Sequence, residues 1–182
     1  MFQQKRWNRI DLMKKMLFTI GFAGKTAQEF FGLLQSAGVN SIVDIRQHRE
    51  GQLAGFAKHP DLQFLLKNIA GIDYQYEPSL APTPELLKKY RESKDWPVYE
   101  REFLELLSSR GVPHSLDTST WPDRIALLCS EPGPEKCHRR LVAELLAEYW
   151  RQGGKEIEIL HLVAERPKAS SPLRKRRRAS HD

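Results

Sequence analysis

Only two cysteines, Cys129 and Cys137, occur among the 182 residues. So few exclude a disulfide-stapled scaffold, and in a chain of this size the two read as free thiols. Long apolar runs are missing too. None approaches the roughly 20 residues that a membrane-spanning helix needs. The stretch Met16-Leu-Phe-Thr-Ile-Gly-Phe22 is too short for a signal-peptide core and runs on into a helical pattern rather than a cleavage site. These absences lead to the expectation of a cytoplasmic protein with no membrane contact. No internal repeat is visible, which removes solenoids and propellers.

Acidic residues are scarce at the two ends, and this decides how the formal net charge of +6 is read. Residues 1–15 carry Lys5, Arg6, Arg9, Lys14 and Lys15 against Asp11, a net +4. Residues 166–182 carry seven cations against Asp182, a net +6. Subtracting both ends leaves −4 for residues 16–165. The sequence thus divides into a basic extension (1–15), a mildly acidic domain (16–165) and a basic tail (166–182) with almost nothing apolar to bury, expected to be disordered. Within the tail, Arg174, Lys175, Arg176, Arg177 and Arg178 form a candidate weak contact for nucleic acid, since each cation can displace a counterion from a polyanion.

What is there, between the ends, is an alternation of strand and helix patterns. Strands are expected at 17–20, 41–45, 72–76, 125–129 and 157–163. Helices are expected at 27–37, 60–70, 84–91, 98–110 and 137–152. Thr26-Ala-Gln-Glu29 is a capping box, in which hydroxyl and carboxylate satisfy each other's backbone donors. Gly38 supplies a left-handed stop, and Pro84 after Thr83 suits a first helical position. In the second helix Leu62, Leu65, Leu66 and Ile69 share one side. The run Ile125–Cys129 is uninterruptedly apolar, as for a strand covered on both faces. The fold class that follows is α/β, a three-layer domain with a mostly parallel sheet and helices on both faces.

In such sheets ligands lie beyond the carboxyl ends of the strands. Gly21, the pair Asp44 and Arg46, and the run Cys129-Ser-Glu131 all fall at such ends. Cys137-His-Arg139 opens the helix that follows, where unpaired N–H groups and the dipole favour an anion and lower the pKa of a thiol. Cys129, Glu131, Cys137 and His138 are therefore candidate catalytic residues, and Asp44, Arg46 and Arg139 candidate anion-binding residues. His138, Arg139 and Arg140 crowd positive charge into one first turn, which calls for an anion nearby: Glu131, Glu135 or a ligand. Asp44 and Arg46 share a side, so an internal ion pair is the competing reading. Tyr74, Tyr76 and Tyr90 could stack on a base or simply pack. No metal is expected, because the cysteines stand eight apart with one adjacent histidine and lack a second pair. No cofactor is called for. A tyrosine-phosphatase loop fails, since the residue six after Cys129 is Glu135 rather than arginine. A persulfide-carrying thiol stays open.

At these residues the chain resembles a known family. Thr19-Ile-Gly21, Val43-Asp-Ile-Arg46, Gly55-Phe56, Leu80-Ala-Pro-Thr83, Tyr99, and above all Leu127-Leu-Cys-x-Glu131 with Cys137-His-Arg139 are similar to the prokaryotic family catalogued as domain of unknown function 488. The resemblance covers about residues 16–163. It implies a compact α/β domain with the Asp-x-Arg strand and the Cys-His-Arg helix in one pocket, and no reaction. After Arg46 the chain departs from that pattern, with Gln47, His48, Arg49 and Glu50 where many relatives have Pro and Ser. Three readings follow: an enzyme or binding domain for a small anionic compound, a nucleic-acid-associated accessory protein, and a binding module without catalysis.

Overall fold

The computed structural model describes residues 14–51 and 54–164. The extension before Lys14, Gln52 and Leu53 of the loop after Arg46, and the basic tail with Arg174–Arg178 lie outside the described residues.

The elements follow the strand and helix patterns closely. In chain order they are β1 (Lys15–Gly21), α1 (Ala27–Ser36), β2 (Ser41–Asp44), α2 (Asp61–Leu65, continued by a wide turn over Leu66–Ala70), β3 (Asp73–Tyr76), α3 (Pro84–Ser93), α4 (Trp96–Ser109), β4 (Arg124–Cys129), α5 (His138–Gln152) and β5 (Ile157–Leu162). The capping box forms as expected, with Thr26 and Glu29 each accepting from the other's backbone. Gly38 takes the left-handed conformation at φ 63°. One face is corrected. Ile69, expected on one side with Leu62, Leu65 and Leu66, is 55% exposed. The helix widens at Leu66, and the changed residue angle carries Ile69 off the apolar stripe.

Five strands form one sheet in the order β3-β2-β4-β1-β5, every neighbouring pair parallel. Alternate residues of the central strands supply two cores. Phe18, Ile20, Ile42 and Leu128 meet Phe30, Leu34, Leu62 and Leu66 of α1 and α2 on one face. Leu17, Val43, Ile125 and Leu127 meet Phe103 and Leu107 of α4 and Leu141 and Leu146 of α5 on the other. This is the three-layer α/β arrangement. Because all strands run one way, the carboxyl ends of β2, β4 and β1 lie side by side on one edge. Register puts Gly21 beside Cys129 and Asp44 beside Leu128.

Candidate functional site

The two cysteines approach each other at that edge. Cys129 ends β4 and Cys137 is the N-cap of α5, and their sulfurs lie 2.8 Å apart as free thiols. Arg139, itself fully buried, aims Nη1 at both: 3.0 Å to Cys129 Sγ and 3.5 Å to Cys137 Sγ. The same guanidinium donates to the carbonyls of Glu131 at 2.6 Å and Pro132 at 3.4 Å. The Glu131 amide donates to Cys129 Sγ at 3.3 Å. Burial alone pushes the Cys129 thiol up, but the bond from Cys137 and the charge and hydrogen bonds of Arg139 and Glu131 more than offset it. Cys129 therefore sits below the ordinary thiol range. Burial pushes Cys137 well above that range, and its bond to Cys129 and that sulfur's charge push the same way. Arg139 and the Glu131 amide thus favour negative charge on Cys129 over Cys137.

Gly21 makes this turn sterically allowed. A Cβ there would lie 1.6 Å from the Glu131 carbonyl oxygen and 2.7 Å from Arg139 Nη1. Only a residue without a side chain lets the Cys129–Glu131 turn pass over the end of β1.

Asp44 and Arg46 pair with each other, as the competing reading had it. Asp44, fully buried, accepts from Arg46 Nε at 2.8 Å and Nη2 at 2.6 Å, from the Arg46 amide at 3.1 Å, and from Tyr74 Oη at 2.7 Å. Arg46 Nη1 goes to the Ala57 carbonyl at 2.7 Å. Burial, with Asp44 beside it and Arg49 opposing, pushes the Tyr74 phenol up to about 12. Arg49 also lies over the Tyr76 ring at 3.7 Å. Tyr74 and Tyr76 are thus engaged within the protein rather than presented to a base.

The crowded first turn of α5 resolves without Glu135 or the Glu131 carboxylate. His138 Nε2 lies 3.1 Å from the Ile45 carbonyl, an acceptor only, so Nε2 carries the hydrogen and Nδ1 is bare. Nδ1 faces Cys137 Sγ at 3.9 Å. Burial pushes the imidazole down to about 4, the Arg139 charge adding to this and the Ile45 bond opposing it. His138 is therefore neutral at pH 7. Arg140 turns away to Glu144 at 2.9 Å and Glu100 at 3.2 Å.

Cys129, Cys137 and His138 have ligand atoms within 4.8 Å of one another, which raises the metal question again. Two thiolates on one zinc stand about 3.8 Å apart, given tetrahedral bonds of about 2.3 Å. Here the sulfurs are much closer, and a guanidinium occupies their shared face. The donor set fits a thiol–thiolate pair better than a metal.

A cavity of about 510 Å³ opens above this edge, within the range of small-molecule sites. Cys137, His138, Glu131 and Arg46 form its floor, and Tyr90 and Tyr99 one wall. Tyr90 and Tyr99 have ring centroids 4.7 Å apart. Arg91, Lys94, Lys136 and His48 also line it. Sequence reasoning passed over Arg91, Lys94 and Lys136, since cations on a polar helix face look like ordinary surface. Lys94 caps α3 in a left-handed conformation at φ 57°, uncommon for any residue but glycine, and no residue pattern announces it. A larger cavity of about 750 Å³, lined by Lys15, Trp121 and Trp150, lies at the opposite, amino edge and holds none of the candidate residues.

So the described geometry brings Cys129, Glu131, Cys137, His138, Arg139, Asp44 and Arg46 together at one edge. It uses Arg46 and Arg139 as internal donors and leaves the mouth to other cations. The model of a domain of unknown function, DUF488, matches residues 26–146. The chain belongs to the DUF488 family. No curated protein and no solved structure matches it. The matched span of the DUF488 domain runs from the cap of α1 into α5 and so contains the Asp44–Arg46 pair and both cysteines. Among the described residues no helix is long and apolar enough to cross a membrane.

Proposed function

We propose that this DUF488 domain binds a small anionic, phosphate-bearing compound in the carboxyl-edge cavity. The observation that carries the reading is a cavity bordered by Arg91, Lys94 and Lys136, cations with no ion pair among the described residues. Lys136 stands immediately before the N-cap of α5, where free N–H groups and the helix dipole add to the attraction. Asp44, Arg46 and Arg139 act one step back, as a fixed frame. The Arg46 guanidinium and the Nη groups of Arg139 are already engaged, so they shape the floor rather than hold the ligand. Tyr90 and Tyr99 offer an apolar wall to the rest of the ligand. If a reaction follows binding, His138 Nδ1 and the Glu131 carboxylate are the groups placed to move a proton.

The test is isothermal titration of the full chain with inorganic pyrophosphate. Replacing Arg91, Lys94 and Lys136 together by glutamine is expected to weaken binding at least tenfold, since one charged hydrogen bond is worth about 1.5–3 kcal/mol. Unchanged affinity in that variant would assign the binding to the basic termini and remove the cavity reading.

A further inference from the structure

We propose that Cys129 and Cys137 are a hydroperoxide-reactive pair on the cavity floor, switching between a dithiol and a disulfide. Two buried thiols 2.8 Å apart are not explained by packing, which would be served by alanine or valine. The contact is close enough that a disulfide, at about 2.05 Å, requires the sulfurs to close by less than about 1 Å. Arg139 faces both sulfurs, so it can neutralise a negative charge on either of them during exchange.

Access sets the order of events. Cys137 lines the cavity, whereas Cys129 is fully buried behind it. A cavity of about 510 Å³ admits a small peroxide and excludes a folded protein's disulfide. The reactive form of the pair carries one proton. Passing it across the sulfur–sulfur contact from Cys137 to Cys129 leaves Cys137 as the thiolate. That thiolate attacks one peroxide oxygen, the O–O bond breaks, and Cys137 becomes a sulfenic acid. The departing alkoxide or hydroxide takes one proton from solvent. The Cys129 thiol then attacks the Cys137 sulfur, the S–O bond breaks, and hydroxide leaves as water with the Cys129 proton. Two thiol sulfurs are oxidised by two electrons in all, and the peroxide is reduced to water plus water or an alcohol. A small dithiol that fits the cavity returns the pair by thiol–disulfide exchange.

The inference stands apart from anion binding, because its readout is the state of the thiols. The reduced full chain is treated with stoichiometric hydrogen peroxide and followed by intact mass and peptide mapping. The expected result is loss of two hydrogen atoms, a crosslink joining the Cys129 and Cys137 peptides, and full reversal by dithiothreitol. Cys129→Ser should instead accumulate a Cys137 sulfenic acid that a dimedone-type probe captures. Cys137→Ser should lower that labelling at least tenfold. Irreversible overoxidation of Cys137 with Cys129 left free would overturn the proposal. So would thiols that survive peroxide in the folded chain but are consumed on denaturation. Should Cys129→Ser fail to fold, the wild-type crosslink decides alone.

Discussion

Gly21 and Asp44 do different work at neighbouring strand ends, and a single atom or charge tests each. Gly21→Ala would place a methyl group against the backbone oxygen of Glu131 and against Arg139. Backbone cannot swing aside as a flexible side chain can, so the Cys129–Glu131 turn must move. Overpacking of this kind costs about 1–3 kcal/mol and sometimes more, and the upper end is expected here. Chemical denaturation should show it as a lowered midpoint. Asp44→Asn tests the buried ion pair. It leaves the Arg46 charge inside the protein with no counterion, a change that costs about 3–5 kcal/mol. The Tyr74 phenol would lose a charged acceptor as well. Were Asp44→Asn to cost less than about 1 kcal/mol, Arg46 would have to be reaching solvent through the cavity, and the frame role assigned to the pair would be wrong.

At the scale of elements, α5 couples the thiols to β2. Its N-cap is Cys137, its first residue His138 bonds back to Ile45, and its second is Arg139. His138 gives this coupling a pH dependence with a definite sign. Its folded pKa lies near 4, below the ordinary 6.5, so the unfolded chain binds more protons between those values. Stability therefore rises with pH across that window and is lost as pH falls from about 6.5 towards 4. The shift corresponds to about 3 kcal/mol at most. His161 is also lowered, chiefly by burial, and contributes the same sign. The measurement is thus a difference: His138→Gln, which can still donate to Ile45, should lose less stability than wild type between pH 7 and 5 in urea. Equal pH dependence in both would place the effect elsewhere.

The same helix illustrates what was legible in the sequence. Element positions could be read because their signals are local: the Thr26–Glu29 box, Gly38, Pro84 and the unbroken apolar run of β4. The convergence of Gly21, Asp44 and Cys129 was readable because parallel strands end on one edge. The order β3-β2-β4-β1-β5 was not, since it is fixed by which faces pack, and no short motif encodes that. Nor could the sequence say that Arg139 turns inward to two sulfurs while Arg140, one residue on, turns out to glutamates. That choice depends on helix rotation against the sheet. Arg91 and Lys94, at the end of α3, became cavity residues only through the way α3 and α4 fold over the sheet edge.

At the scale of the molecule, the charge is divided. Residues 166–182 carry +6 of a total of +6, so residues 1–165 are formally neutral. Three anion-seeking regions then compete in any binding experiment, the cation-bordered cavity, the tail and the basic extension over residues 1–15. They differ in how they respond to salt. A run of tail cations binds a polyanion by releasing counterions, with an affinity that falls steeply as salt rises. A cavity that holds one small anion among a few directed donors depends on salt far less. Deleting residues 166–182 should therefore weaken retention on a cation exchanger at pH 7 and remove much of the salt-sensitive binding to single-stranded DNA, the remainder falling to the basic extension over residues 1–15. Pyrophosphate binding and the peroxide-driven crosslink should persist in the shortened chain. If the deletion removes pyrophosphate binding as well, the tail supplies part of the ligand's contacts, and the cavity cations alone are too few to hold it.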